Sequence, residues 1–401
     1  MARTVFTGGR VFDGTGAEPA DADIAIQDGR ILEVGRGLDA DEQVDVSGKA
    51  ILPGLFDCHT HVMFSHIDFL KAMEEPFSYK FFDAARNLHA TLRIGITTVR
   101  DAAGADMGVR QAVEDGLIPG PRMQISLAMI SQTGGHGDTW MPCGGDMPIF
   151  LPYPGMPDGI VDGPEEMRKM VRELIRDGAD VLKVATSGGV LSPRDDPQHP
   201  HFRAEELEVL VTEAAAAGRW VMAHSHGAEA TKHAVRAGIR SIEHGTFLDD
   251  EAVELMAKQG TYLVPTLLAS IAVMEAVESG VQLPDAILEK ERALIGVPEA
   301  SFRRALAAGV KVAMGTDTGV SPHGQNLREL ELMVEYGVTP TQALVATTKT
   351  AAELMGVDDR LGTLEPGKIA DVVVMEGDPL DVSKMGERVV AVYKDGQPAF
   401  G

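Results

Sequence analysis

Two rhythms of apolar and polar residues alternate along this chain. Near its start the two kinds alternate singly, over Val5 to Gly14 and again over Asp23 to Gly35, with glycines breaking the runs. Period-two alternation punctuated by glycine predicts short strands joined as hairpins. The same rhythm returns at the other end, over Gly362 to Gly367, Ala370 to Met375 and Arg388 to Gly396. Neither end is long enough to form a stable sheet alone. The pattern therefore predicts one small β-sandwich domain built from residues 1–50 and 360–401, with the rest of the chain inserted between its halves.

Between the ends the period lengthens. Short β-branched runs alternate with helical patterns, the signature of βα units and a parallel sheet. Eight strands are predicted, at 51–56, 97–100, 123–129, 181–185, 220–223, 241–243, 262–265 and 310–315. The clearest helix begins at Ala204 and ends on a capping glycine, Gly218. Eight units point to an α/β fold, a (β/α)8 TIM barrel over residues 51–359. A doubly wound sheet would be expected to carry a GxGxxG fingerprint, which we do not find. Two connections, 63–92 and 131–164, are longer than usual, and long loops at the carboxyl face of such a barrel usually face substrate. The second contains Thr133 to Asp138 and a stretch rich in Met, Pro and Tyr from Met141 to Met156.

Composition narrows the partners. The 401 residues carry a formal charge of -24, which disfavours nucleic acid and anionic membranes. Two cysteines, Cys58 and Cys143, imply no disulfide framework and a reducing compartment. The N-terminus lacks a signal-peptide pattern and no apolar run is long enough to span a bilayer, so a cytoplasmic location is expected.

The chemistry lies at the strand ends. His59 and His61 follow the first predicted strand, and if the strand runs on, residues two apart point the same way. Two imidazoles aimed into one space suit a divalent metal. Lys183 sits inside an apolar fourth strand, where an unpaired ammonium is costly to bury. His224, His244 and Asp317 follow strands five, six and eight. Singly, each has a plainer use: a buried histidine can be a hydrogen-bonded core residue, and Asp317 could cap a helix. Together they would converge on the carboxyl mouth of a barrel, where sites of this fold lie. His226, two residues past His224, could reach substrate or act as an alternative ligand, and His136 in its glycine-flanked loop could bind substrate. Arg194, Asp195 and Asp196 could read a substrate's charge or simply be solvated. His66, His89, His199, His201, His233 and His323 read as surface or supporting residues.

These residues resemble the amidohydrolase superfamily. The resemblance rests on the lead from Leu52 to His61, on Lys183, on His224 and His244 twenty residues apart, on Asp317, and on the return segment from Gly362 to Asp371. It extends over essentially the whole chain. Within the superfamily the chain is most similar to the branch of Xaa-Pro dipeptidases, lysine/arginine carboxypeptidases and ochratoxin-type amidases. The motifs that carry this are Thr133 to Gly137, Lys183 to Pro193 and Ala223 to Gly227. The resemblance implies that CO2 carboxylates Lys183 to a carbamate bridging two divalent ions, with zinc expected and manganese or cobalt possible. His59, His61 and Asp317 would hold one ion, and His224 and His244 the other. His136, His226 and Ser192 would contact substrate, although some dipeptidases of the branch have tyrosine where His226 stands. Two cations would make a shared water nucleophilic and polarise a carbonyl, and Asp317 could accept and return the proton.

The implied activity is cleavage of an amide bond in a dipeptide or N-acyl amino acid by a binuclear centre, in an enzyme that self-associates. Hydrolysis of cyclic amides, imidazolones, or aryl carbamates and ureas on the same centre is the rival chemistry. A metal-binding scaffold with a vestigial site is the non-enzymatic alternative.

Overall fold

The computed structural model describes residues 2–147 and 154–401; residues 148–153 of the Met/Pro/Tyr-rich stretch lie outside the described residues. The N-terminal segment supplies β1 (Thr4–Val11), β2 (Ala20–Gln27), β3 (Arg30–Gly35), β4 (Glu42–Asp45) and β5 (Lys49–Pro53). The middle supplies β6 (Leu55–Thr60), β7 (Ile96–Asp101), β8 (Arg122–Ile125), β9 (Met129–Ile130), β10 (Val181–Ala185), β11 (Trp220–Gly227), β12 (Ser241–Phe247) and β13 (Tyr262–Val264). The C-terminal segment adds β14 (Val372–Glu376), β15 (Val389–Lys394) and β16 (Gln397–Phe400).

The two chain ends do pair. β14 lies antiparallel to β5, Val374 opposite Ile51, and β5 lies parallel to the end of β1. All eight terminal strands join one hydrogen-bonded sheet, so the two layers expected of a sandwich are not separate sheets. The reason lies in β1. Its first half pairs with β4 and its last residues with β5, and the register against β2 shifts between Phe6 and Gly9. An irregularity of that kind bends a strand and lets it serve two neighbours. Phe6, Ile24, Ile31, Ile51, Val372 and Val374 form a buried cluster of this region's own.

The middle is α/β with parallel strands. β6, β7 and β8 form one run, and β9 to β13 another in sequence order. The segment predicted as an eighth strand is too irregular to count as one, yet it links the runs: Ala313 N donates to Leu263 O at 3.0 Å, and Cys58 N to Met314 O at 2.9 Å. Helices pack outside. The one at Pro164–Arg176 opens on proline and buries Met167, Met170, Val171 and Leu174, spaced three or four apart, with charges facing outward. The helix expected from Ala204 runs to Ala216, and Gly218 takes a φ of +68° past its end.

Two predicted strands are each split. The run 51–56 is β5 followed by β6, and the break is Gly54. A Cβ there would fall 2.1 Å from Thr97 Oγ1 and 2.7 Å from Asp371 Cβ, so only glycine lets the backbone cross from one sheet to the other. The run 123–129 divides into β8 and β9 around Leu127, whose φ is +68°. Conversely, β11 and β12 extend past their predicted ends, which places His224, His226 and His244 on the strands.

Candidate active site

His59, His61, Lys183, His224, His244 and Asp317 all line one cleft, and His136 and His226 line it with them. The aspartate Oδ1 lies 3.4 Å from His59 Nε2 and 3.1 Å from His61 Nε2. Lys183 Nζ sits 3.4 Å from the same His59 nitrogen. Ring centroids of His224 and His244 are 4.6 Å apart, and those of His226 and His244 4.9 Å. Two sets of potential ligand atoms fall within 4.8 Å of one another: His224, His226 and His244, and His59, His244 and Asp317. His226 is therefore as close to the second set as the two histidines predicted for it.

One ring nitrogen of each of these histidines is committed to a protein atom. His59 Nδ1 lies 2.8 Å from Glu243 Oε2, His61 Nδ1 3.0 Å from Ala103 O, and His224 Nε2 3.2 Å from Gly188 O. His244 Nδ1 meets Thr266 Oγ1 at 2.7 Å, and His226 Nδ1 meets Thr246 Oγ1 at 2.6 Å. Such partners fix the tautomer and orient the opposite nitrogen, as metal-binding imidazoles require. Burial holds His224 and His244 well below the usual histidine range and His226 at about 3, so all three stay neutral at physiological pH. Neutral imidazole is the ligating form. Burial would raise the Asp317 carboxyl, but His59 and His61 hold it well below its usual value. Burial lowers the Lys183 amine to about 8. This donor set, mixed nitrogen and oxygen with one side of each imidazole anchored, fits a divalent ion.

The backbone is unusual at the same place. His244, Asp317 and Thr266, none of them glycine, take φ values of 70°, 59° and 49°. Left-handed conformations of this kind are sparsely populated and gather at functional sites.

Several supporting residues carried no period or motif that singled them out. Arg100, the penultimate residue of β7, is 2% exposed; its Nη2 donates to both oxygens of fully buried Glu243, which in turn holds His59. Burial would raise the Glu243 carboxyl, yet Arg100 brings it down to about 2. Asp57 accepts from Thr316 Oγ1 at 2.6 Å and Asn326 Nδ2 at 2.8 Å, tying β6 to the loop that carries Asp317. Arg100 and Glu243 stand at the ends of their predicted strands and Asp57 just beyond its own, so the signal that marked Lys183, a charge inside an apolar run, was absent for them. Cys58 is buried, and burial pushes its thiol up to about 12, in keeping with a packing role.

Ser192 stands behind His136 rather than in the cleft wall, its Oγ 2.7 Å from His136 Nδ1. Asp195, expected to read substrate charge or to be solvated, has its carboxylate buried and bonded to Ser192 and Lys290. Phe64, Met129, Val190, Leu191, Val273 and Val320 make much of the remaining wall apolar, with the buried carboxyl of Glu291 among them.

The Amidohydrolase family pattern matches residues 50–399. The chain belongs to the amidohydrolase family. It is 35% identical to the ochratoxinase of Aspergillus niger over 98% of its own length and 86% of the relative's. The crystal structure of that ochratoxinase superposes with a TM-score of 0.87 at 34% identity, covering 100% of this chain and 96% of the other. A Xaa-Pro dipeptidase crystallised with methionine in its active site gives 0.91 at 34% identity, with both chains covered completely. The imidazolonepropionase of Caldanaerobacter subterraneus subsp. tengcongensis is 26% identical over 91% of this chain and 86% of its own. These likenesses place the protein in the ochratoxinase and prolidase-like branch, with a TIM-barrel-type fold, and make it a hydrolase of amide or peptide C–N bonds. Among the described residues, no helix is long and apolar enough to cross a membrane.

Proposed function

We propose that this amidohydrolase uses two divalent ions, zinc by donor type, to cleave the amide bond of a dipeptide or N-acyl amino acid. The observation that carries the reading is the pair of ligand sets sharing His244, with Lys183 beside His59 of one set. His59, His61 and Asp317 would hold one ion, His224 and His244 the other, and Lys183, once carboxylated by CO2, both. An amine lowered to about 8 has an appreciable neutral fraction near neutral pH, the form that reacts with CO2. Bound there, the ions would activate water and polarise the scissile carbonyl. Asp317, ionised throughout the neutral range, accepts the proton of the attacking water and returns it to the leaving amine. His136 and His226, both neutral at that pH, present hydrogen-bonding nitrogens to the substrate's polar groups, and the apolar wall receives its side chain.

The catalytic unit in this reading is the expected 51–359 less Ile51–Pro53, which pair within the terminal sheet, and a unit made of both chain ends supports it. Leu70, Met73, Phe77 and Phe82 are exposed together on the 63–92 stretch, which supports the expected self-association. The imidazolonepropionase likeness supports the rival reading, hydrolysis of a cyclic amide on the same residues.

Metal analysis with a screen of dipeptides and N-acetyl amino acids against cyclic amides separates the two. Turnover of an acyl amino acid is expected; turnover confined to ring substrates would transfer the reading to the rival. Lys183→Ala is expected to lose metal and activity together, with partial recovery on adding short carboxylates. Full metal content in that variant would sink the bridging role.

A further inference from the structure

We infer that Lys290, distant in sequence from every residue of the proposed catalytic set, is a positioning residue that acts on substrate through His136. The inference rests on the amide-cleaving reading for what His136 does, but not for how it is held. Lys290 lies on the helix Asp285–Ala293 and reaches across to the loop after β10. Its Nζ donates to Asp195 Oδ1 at 2.8 Å, Ser192 O at 2.6 Å and Gly189 O at 2.9 Å. An ammonium has three protons to donate, and all three are used on this one loop. Asp195 then accepts from Ser192 Oγ at 2.5 Å and from Gly189 N at 2.9 Å. Ser192 Oγ meets His136 Nδ1 at 2.7 Å. The chain of contacts runs from helix to lysine, aspartate, serine and imidazole.

Two further contacts make the clamp act on geometry. A Cβ on Gly189 would lie 2.2 Å from His136 Nδ1 and Cε1, so the loop backbone presses directly on the ring. His136 also stacks on His224, centroids 4.2 Å apart and planes 21° from parallel. The ring is therefore held by a loop fixed by Lys290 and by a histidine of the proposed centre. Release of Lys290 frees the loop face while His224 stays in place. The side chains of Asp195 and Lys290 are 2% and 15% exposed, where an ion pair is little screened by solvent.

The test is a double-mutant cycle of Lys290→Met and His136→Ala, with Asp195→Asn as a second variant should Lys290→Met prove unstable. Each protein is assayed for metal content, melting temperature and the separate values of kcat and KM on the dipeptide or N-acetyl amino acid turned over best. Lys290→Met is expected to keep its metal and to lower kcat/KM on the order of 10- to 100-fold, the scale for a misplaced positioning contact. It should have no further effect in the His136→Ala background, and Lys290→Arg should recover part of the loss. Losses that multiply would overturn the inference. Histidine-selective 15N spectra read the link without any substrate: the His136 ring signals, assigned through His136→Ala, should shift in Lys290→Met and in Asp195→Asn. An unmoved His136 signal in either variant overturns the inference while leaving the amide-cleaving reading intact.

Discussion

At the scale of single residues, the informative side chains are charges in places that exclude water. Lys183 announces itself in the sequence because nothing beside it in an apolar strand could neutralise it. Glu243 and Arg100 obey the same physics but were hidden, because each stands at the end of its predicted strand and their partnership is made only when β7 and β12 face each other across the interior. Glu243 holds both Arg100 and His59, so Glu243→Gln should do two kinds of damage. Loss of a partner behind a ligating imidazole typically weakens metal binding about 10- to 100-fold. Breaking one side of a buried pair costs about 3–5 kcal/mol, because the other charge stays buried. Metal titration and urea unfolding of the same variant read the two losses separately; a variant with parent-like metal affinity would show that His59 needs no such partner.

At the scale of elements, helices and strands were legible where burial is one-sided and the period is clean, as from Ala204 to Ala216. Boundaries failed where tertiary contacts decide them. Gly54 divides one apolar run because Thr97 and Asp371 crowd it, and both are far away in sequence. The left-handed turns at His244 and Asp317 leave no trace in residue type, since strain of that kind is imposed by the surrounding packing. The helix Asp285–Ala293 was likewise anonymous, yet its adjacent Lys290 and Glu291 serve the loop and the cleft wall. Glu291 has a testable signature of its own. Burial, only partly offset by Ser270, raises its carboxyl from 4.5 to about 7. The folded state therefore binds this proton more tightly than the unfolded chain does. The resulting stabilisation is fully present below pH 4.5 and is lost as pH rises through about 7. Glu291→Gln removes that dependence, so its melting temperature should gain on the parent's between pH 5 and 8. A difference constant with pH would mean that Glu291 is ionised throughout.

At the scale of the whole molecule, the return of the period-two rhythm was enough to bring the chain ends together, but not to show what fastens them to the rest. Asp371 does much of that. It is 3% exposed, and its carboxylate accepts from Arg122 at the start of β8 and from Asp395 N at 3.0 Å. Its carbonyl accepts from Gly54 N at 2.9 Å, where the chain enters β6, the strand that carries His59. Arg122 Nη2 also reaches Asp395 at 2.6 Å, so one guanidinium joins the parallel strands to the start of β14 and to the turn after β15. Arg122→Ala leaves the Asp371 charge buried without its cation, at a cost of about 1–3 kcal/mol. The contact lies away from the cleft, since neither residue lines it. The expected outcome is a lower melting temperature with metal content and kcat unchanged at low temperature. If metal were lost with stability, Gly54 would be transmitting the disturbance along β6 to His59, and the terminal sheet would be part of the catalytic apparatus rather than a support fastened to it.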